Sequence, residues 1–311
     1  MSQVSRPVAR VVSPEPVIEG AGDHLRRSIG TRGPDHLDPF LLLDHFESAN
    51  PSDYEPGFPY HPHRGIETVT FVRKGEIQHK DSLGHRGSIG AGDIQWMTSG
   101  SGILHEEMPQ VRPEGIGGLQ LWLNLPAREK MSRPKYRDLQ AKQLPETDLD
   151  GGAKARVIAG EAAEGRLRGP VEGLAVAPKF IDVNLPAGAE FHESVPRGHT
   201  AFAYVDHGEV RFGPERTRAR APALVIFGDG DLVEASAGTE GGRFLLAAAR
   251  PLGEPIARHG PFVMNTHGDR ADAPGPAERA LHPQRAARHV RRRSRRALPR
   301  SPRRTPWPDV P

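Results

Sequence analysis

The chain has 311 residues, enough for two domains of ordinary size, and it contains no cysteine, which excludes disulfides and thiolate metal sites. Its 35 glycines and 31 prolines, with 36% hydrophobic residues, favour short strands and many turns over long helices. The net charge of +3 is unevenly spread: residues 268–311 carry twelve arginines and four acidic residues, which leaves −5 on residues 1–267.

Short apolar strands separated by turn residues run through the first half of the chain. Residues 1–20 look extended, and 36–47 hold a short apolar run after an Asp-Pro turn. This spacing of strands and Gly-rich turns is typical of a barrel or sandwich. The predicted strands cover residues 66–72, 76–80, 93–97 and 119–125.

The same rhythm returns after a polar stretch at 126–170. Each half has a Gly-Glu turn and a Gly-Asp turn between strands, which indicates an internal duplication of one barrel. We therefore predict an all-β protein with two tandem barrels. The first barrel is expected at 1–130, a connector at 131–154, the second barrel at 155–266 and a separate tail at 267–311. Strands of the second half are predicted at 155–161, 179–185, 200–205, 209–212, 223–227 and 243–249.

Two pairs of polar residues carry the chemistry. His61 and His63 are two residues apart, and so are His105 and Glu107. Residues i and i+2 of an extended chain point to the same face, so each pair converges on one point. On neighbouring strands the two pairs would offer three nitrogens and one oxygen to a single cation. This ligand set suits Fe(II), and also Mn, Ni, Cu or Zn.

Simpler interpretations stand beside this one. In a chain with 15 histidines, a single His-x-His pair often consists of surface histidines that bind no metal. His79 and Asp81 form another i, i+2 pair, but they flank a turn and favour a structural or pocket-lining role. Trp96 and Met97 are expected in the core.

Long stretches of the chain resemble the pirin family. They are residues 57–109, which contain both pairs, together with DPFLLLDHFE at 38–47, LQLWLNLPAREKMSRPKY at 119–136 and RPLGEPIARHGPFVMNT at 250–266. The resemblance implies a bicupin fold, two tandem cupin β-barrels, with one mononuclear metal in the first barrel only. By this resemblance, the metal ligands of the family correspond to His61, His63, His105 and Glu107. Fe(II) is the expected metal, with Mn, Ni, Cu, Co and Zn as alternatives.

Other residues near the predicted site receive supporting roles. Glu67 stands where many cupins place a carboxylate ligand, but in pirins that ligand corresponds to Glu107. Glu67 is therefore expected to support the site or the fold without binding the metal. The second barrel has no His-x-His pair, and its His192 and His199 are expected on the surface or in loops.

The resemblance implies two functions. One is a dioxygenase that opens a flavonol such as quercetin with dioxygen, with Glu107 as a candidate general base. The other is an iron-dependent redox sensor or transcription-cofactor-like protein without turnover. A solvent-open pocket over the metal would favour the enzyme. The expected partners are a small aromatic substrate and dioxygen, and the chain is expected to be a monomer.

Localisation follows from what the sequence lacks. The opening residues show no cationic segment followed by an apolar run, and no stretch approaches the roughly 18 apolar residues of a membrane helix. A cytoplasmic protein without membrane contact is therefore expected.

The Arg- and Pro-rich composition of the tail predicts disorder, because the tail cannot bury enough apolar surface. It would bind nucleic acid only non-specifically through phosphates. A shifted reading frame after Thr266 is the favoured explanation of this composition.

Overall fold

A computed structural model describes residues 3–31 and 33–266 of the chain. The tail predicted at 267–311 lies outside the described residues. The first twelve strands are β1 (Val8–Val12), β2 (Glu15–Glu19), β3 (Asp23–Ile29), β4 (Phe40–Ser48), β5 (Phe58–His63), β6 (Ile66–Lys74), β7 (Glu76–Asp81), β8 (Arg86–Gly90), β9 (Ile94–Thr98), β10 (Ile103–Pro109), β11 (Ile116–Asn124) and β12 (Lys135–Leu139).

Twelve further strands follow in the described part of the chain. They are β13 (Glu146–Asp148), β14 (Lys154–Ala159), β15 (Glu161–Ala162), β16 (Leu167–Arg168), β17 (Lys179–Leu185), β18 (Glu190–Ser194), β19 (Thr200–Phe212), β20 (Thr217–Arg220), β21 (Ala223–Phe227), β22 (Leu232–Ala249), β23 (Ala257–His259) and β24 (Phe262–Met264). Short 3-10 helices occupy Pro51–Asp53, Ala127–Glu129, Ala141–Gln143 and Asp150–Gly152. Within the described ranges, no helix is long and apolar enough to cross a membrane.

The strands form two tandem cupin barrels, which confirms the predicted all-β class. The first barrel combines a seven-stranded sheet, in the order β12-β9-β6-β11-β4-β3-β2, with a four-stranded sheet, β5-β10-β7-β8. The second is built on one nine-stranded sheet, β1-β21-β19-β22-β17-β14-β13, with β18 paired to β22 and β20 to β19. All of these pairings are antiparallel, so short turns suffice to connect most neighbours.

Segments near both ends of the described chain pair with the barrel that is distant from them in sequence. Strand β1 pairs with β21 of the second barrel, and β12, inside the predicted connector, pairs with β9 of the first. After the second barrel, the hairpin of β23 and β24 returns to the first barrel, where the Val263 amide donates to the Arg64 carbonyl (3.0 Å). The first barrel is therefore completed by residues close to position 260.

An apolar core joins the two barrels. The Phe40 ring lies edge-on to Phe202 at 4.9 Å, and Trp96 lies edge-on to Phe180 at 5.3 Å. Trp96 and Met97 are fully buried, which confirms their predicted place in the core. Aromatic pairs of this geometry add to the stabilisation that comes from burial alone, so the two barrels pack as one body.

The barrel interiors differ in polarity. The interior of the second barrel is filled by an apolar cluster in which Phe212 packs edge-on against Phe244 at 5.2 Å. In the first barrel, polar side chains such as His63, His105 and Glu107 are buried. Buried polar groups need hydrogen bonds or ligands to offset their lost hydration, so the interior of the first barrel is the candidate location of a functional site.

The predicted Gly-Glu turn of the second barrel takes another form. Strand β19 continues through Gly208 to Phe212, with a register shift against β22 between Gly208 and Val210. Gly208 has φ +68°, which glycine adopts without steric cost. Residues 238–241, which are left out of the pairing at this point, lie on β22, so β19 continues as one long strand where the sequence predicts two strands and a turn.

Candidate metal centre

The two predicted polar pairs lie on adjacent antiparallel strands. In the pairing of β5 with β10, His105 lies opposite His61, and Ile103 lies opposite His63. The i, i+2 spacing on each strand directs the side chains to one face, as the sequence predicts. The strand pairing then brings histidines more than forty positions apart into direct contact.

Three imidazoles meet at this point. The ligand nitrogens of His61, His63 and His105 lie within 4.8 Å of one another, and the Nε2 atoms of His61 and His63 are 3.1 Å apart. Two nitrogens bound to one ion at about 2.1 Å and at right angles would be about 3.0 Å apart. The spacing of these nitrogens therefore fits a shared transition metal.

Hydrogen bonds at the far side of two rings orient them. His61 Nδ1 donates to the Pro59 carbonyl at 3.0 Å, in the tautomer that leaves the Nε2 lone pair free. His105 Nδ1 likewise lies 3.0 Å from the Tyr136 hydroxyl oxygen. The Nε2 atom of His105 is buried and has no hydrogen-bond partner among the described residues. An unpartnered buried nitrogen aimed at two other imidazoles fits a metal ligand.

Burial keeps the imidazoles of His63 and His105 neutral. The pKa values of His63 and His105 are held well below the ordinary histidine value, first by burial and then by the neighbouring histidines. Desolvation disfavours the charged form of an imidazole. Because only the neutral ring offers a lone pair, both side chains are ready to bind a cation at neutral pH.

Glu107 lies two residues after His105 on β10. An extra residue in β5 between Phe58 and His61 places Glu107 opposite Phe58. Its buried carboxylate accepts one hydrogen bond from the Thr70 hydroxyl and one from the Gln120 side-chain amide, both at 2.9 Å. These bonds orient the carboxylate, and each oxygen keeps a further lone pair. Glu107 is outside the group of three histidines that lie within 4.8 Å of one another.

Glu67 is held away from that histidine group. It begins the strand pairing of β6 with β9, where its carboxylate accepts a hydrogen bond from the Thr98 hydroxyl at 2.8 Å. Burial raises the pKa of Glu67, and the Thr98 hydrogen bond opposes that shift in part. A carboxylate tied to the neighbouring strand is compatible with the supporting role predicted for it.

The sequence analysis missed Tyr136, which lies within the predicted connector. Besides contacting His105, its ring stacks on the buried His79 with centroids 5.6 Å apart and planes 7° from parallel. His79 Nε2 in turn lies 3.0 Å from the Asp138 carboxylate. A line of side chains therefore runs from His105 to the barrel surface. No local signal could have revealed it, because Tyr136 reaches His105 only through the pairing of β12 with β9.

A cavity of about 790 Å³ opens above the histidines. His61 and His63 line it, together with Phe58, Trp122 and, from the returning hairpin, Arg258. Trp122 packs edge-on against the His63 ring at 5.0 Å. The volume lies within the range usual for small-molecule sites, and the walls combine aromatic rings with a few polar groups.

Comparison with known proteins agrees with this architecture. The family model described as Pirin matches residues 22–123, and the model of the Pirin C-terminal cupin domain matches residues 180–273. The chain belongs to the pirin family. The second match extends beyond residue 266, where the resemblance in the sequence was expected to end, and its last residues lie outside the described part of the chain.

Individual pirin relatives are similar over most of their length. The pirin-like protein of Caulobacter vibrioides is 46% identical over 261 residues, which cover 84% of this chain and 93% of that protein. Pirin-like protein 2 of Arabidopsis thaliana is 42% identical over 273 residues, covering 86% and 82%. The crystal structure of quercetin 2,3-dioxygenase from Acinetobacter baumannii superposes with a TM-score of 0.78 at 33% identity, covering 91% of this chain and 98% of that one.

The histidines of the second pirin barrel lie apart from such a cluster. His192 is exposed on β18, 3.9 Å from the Glu234 carboxylate. His199 lies in the loop before β19, where its amide donates to the Pro196 carbonyl. Both positions agree with the surface and loop locations expected from the sequence.

Proposed function

We propose that this pirin is a metal-dependent dioxygenase that opens a flavonol such as quercetin. The observation that carries the proposal is the cavity over His61 and His63, because catalysis requires a path from solvent to the metal. A sensor would need only a buried site. The name of the Acinetobacter baumannii relative, quercetin 2,3-dioxygenase, supports the same activity class.

The proposed metal ligands are His61, His63 and His105, with Glu107 as the fourth. Fe(II) suits three imidazoles and one carboxylate, and Mn, Ni, Cu, Co or Zn are the alternatives. When bound, such a metal acidifies a coordinated hydroxyl and gives access to dioxygen chemistry. The neutral, buried state of His63 and His105 supports their assignment as ligands.

The remaining residues bind and orient the substrate. Phe58 and Trp122 supply aromatic walls for a planar ring, and their packing limits the water that reaches it. Glu107 is the candidate base for the proton of the flavonol hydroxyl. Thr70 and Gln120 hold the Glu107 carboxylate in one orientation. In the overall reaction, dioxygen opens the central ring of the flavonol and carbon monoxide is released.

Turnover of quercetin under air tests the proposal. The metal-loaded protein should bleach the flavonol absorption and release carbon monoxide. His63→Ala should abolish both signals, whereas His192→Ala, a histidine exposed on the second barrel, should leave them unchanged. Metal-loaded protein that turns over no flavonol would overturn the enzyme proposal and favour the iron-dependent sensor.

A further inference from the structure

The cavity holds two arginines whose surroundings differ. Arg27 is neutralised by its neighbours: it donates to both oxygens of Asp44, at 2.7 and 2.8 Å, and to Glu19 at 2.8 Å. Arg258 donates to two backbone carbonyls, of Leu41 at 3.2 Å and of Gly260 at 3.3 Å. Within the described chain, no carboxylate lies within 4.0 Å of the Arg258 side-chain nitrogens. Arg258 is therefore the cation of this cavity without an ion-pair partner.

Trp122 fixes the position of Arg258 relative to the histidines. The Arg258 guanidinium lies over the Trp122 ring, with its central carbon 5.0 Å from the ring centroid. The Trp122 ring also packs edge-on against the His63 ring, with centroids 5.0 Å apart. A cation–π contact at a partly exposed site stabilises the cation less than a charge-assisted hydrogen bond to an anion does.

An additional hydrogen-bond partner, in particular an anion, would stabilise the positive charge of Arg258. Its guanidinium is half-buried, and it has five N–H donors, more than the two carbonyls accept. Burial, and then repulsion by Arg27, hold the pKa of Arg258 below its usual value, although the carboxylates of Asp35, Asp44 and Glu19 oppose that shift in part. A cation that is penalised in this way is stabilised by an anion entering the cavity.

We propose that Arg258 makes the cavity selective for planar aromatic anions, whose anionic oxygen it binds while the rest of the ligand extends toward His61 and His63. This inference rests on the proposal that the cavity is the substrate site. It narrows the substrate class to aromatic phenolates, enolates or carboxylates. Arg258 is a specificity residue supplied by the hairpin that returns from the second barrel, so neither barrel alone completes the site.

A matched pair of ligands tests this selectivity without turnover. 2-Naphthoate and 2-naphthamide have nearly the same shape and differ by one charge. Calorimetric titration of the metal-loaded protein should show naphthoate binding roughly tenfold more tightly, the effect of one charge-assisted hydrogen bond. Arg258→Gln should remove most of that preference, and Arg258→Lys should restore part of it, because the charge returns without the planar guanidinium.

The control is Arg211→Gln, the same charge change at an exposed position of the second barrel, which should keep the preference of the unmodified protein. An anion held by the metal alone would keep its preference over the amide in Arg258→Gln, and that result overturns the inference. Equal loss of both ligands in Arg258→Gln also overturns it, since the residue would then only shape the cavity. Because naphthoate binding involves no turnover, failure of the flavonol assay would leave this result standing.

Discussion

The contact of Gly65 with the returning hairpin gives a sharp test of how the site is completed. Gly65 has φ +75°, and a methyl group added at its Cα would lie 2.0 Å from the Val263 carbonyl oxygen. That distance is far below van der Waals contact, and the atom it meets belongs to the backbone. Gly65→Ala therefore forces the hairpin of β23 and β24 away from the first barrel.

The cost has two parts. An alanine at this φ costs about 1–2 kcal/mol from the backbone conformation alone. Displacing the hairpin also weakens three hydrogen bonds, from Val263 to Arg64, from Arg64 to Pro261 and from Lys130 to Val263. At about 0.5–1.5 kcal/mol each, these add about 1.5–4.5 kcal/mol. The total of roughly 3–6 kcal/mol should lower Tm by roughly 10 °C.

Gly253→Ala is the matched control. Gly253 also has positive φ, +64°, but nothing lies within 4 Å of the position that its Cβ would take. It should lose only the backbone part, about 1–2 kcal/mol. Urea unfolding of both variants measures the difference, and naphthoate titration reports whether Arg258 has moved. If the two variants unfold with free energies within about 0.5 kcal/mol of each other, the close approach of the hairpin to Gly65 is wrong.

Three further predictions concern the metal and pH. His105→Ala should remove most of the metal found by elemental analysis, whereas His192→Ala should keep about one ion per chain. Tyr136→Phe loses the hydrogen bond that orients His105, so chelator competition should show metal affinity about tenfold weaker, with Tm nearly unchanged. Burial lowers the pKa of His45 to about 4, so its contribution to stability is present above pH 6.5 and is lost as the pH falls toward 4. Between pH 7 and 4.5, urea unfolding should show the unmodified protein losing about 2–3 kcal/mol more than His45→Gln.

Strand periodicity and residue spacing were sufficient for the all-β class and for much of the candidate site. Apolar runs between turn residues marked β17 and β21 at their observed bounds, and both strands are buried at most of their positions. The two-residue period of an extended strand places His61 and His63 on one face. The turn predicted at Gly208 was wrong, because a glycine with positive φ occurs both in turns and within strands, and only the pairing of β19 with β22 distinguishes the two cases.

The sequence by itself predicted the candidate metal ligands and determined the face of the strand on which each pair lies. Only the tertiary structure decided which residues surround them. Tyr136 reaches His105 because β12 pairs with β9, and Arg258 reaches the cavity because the hairpin after the second barrel returns to Gly65. Such contacts depend on strand order and chain crossing, which arise from long-range packing and leave no periodic signal around the residues concerned.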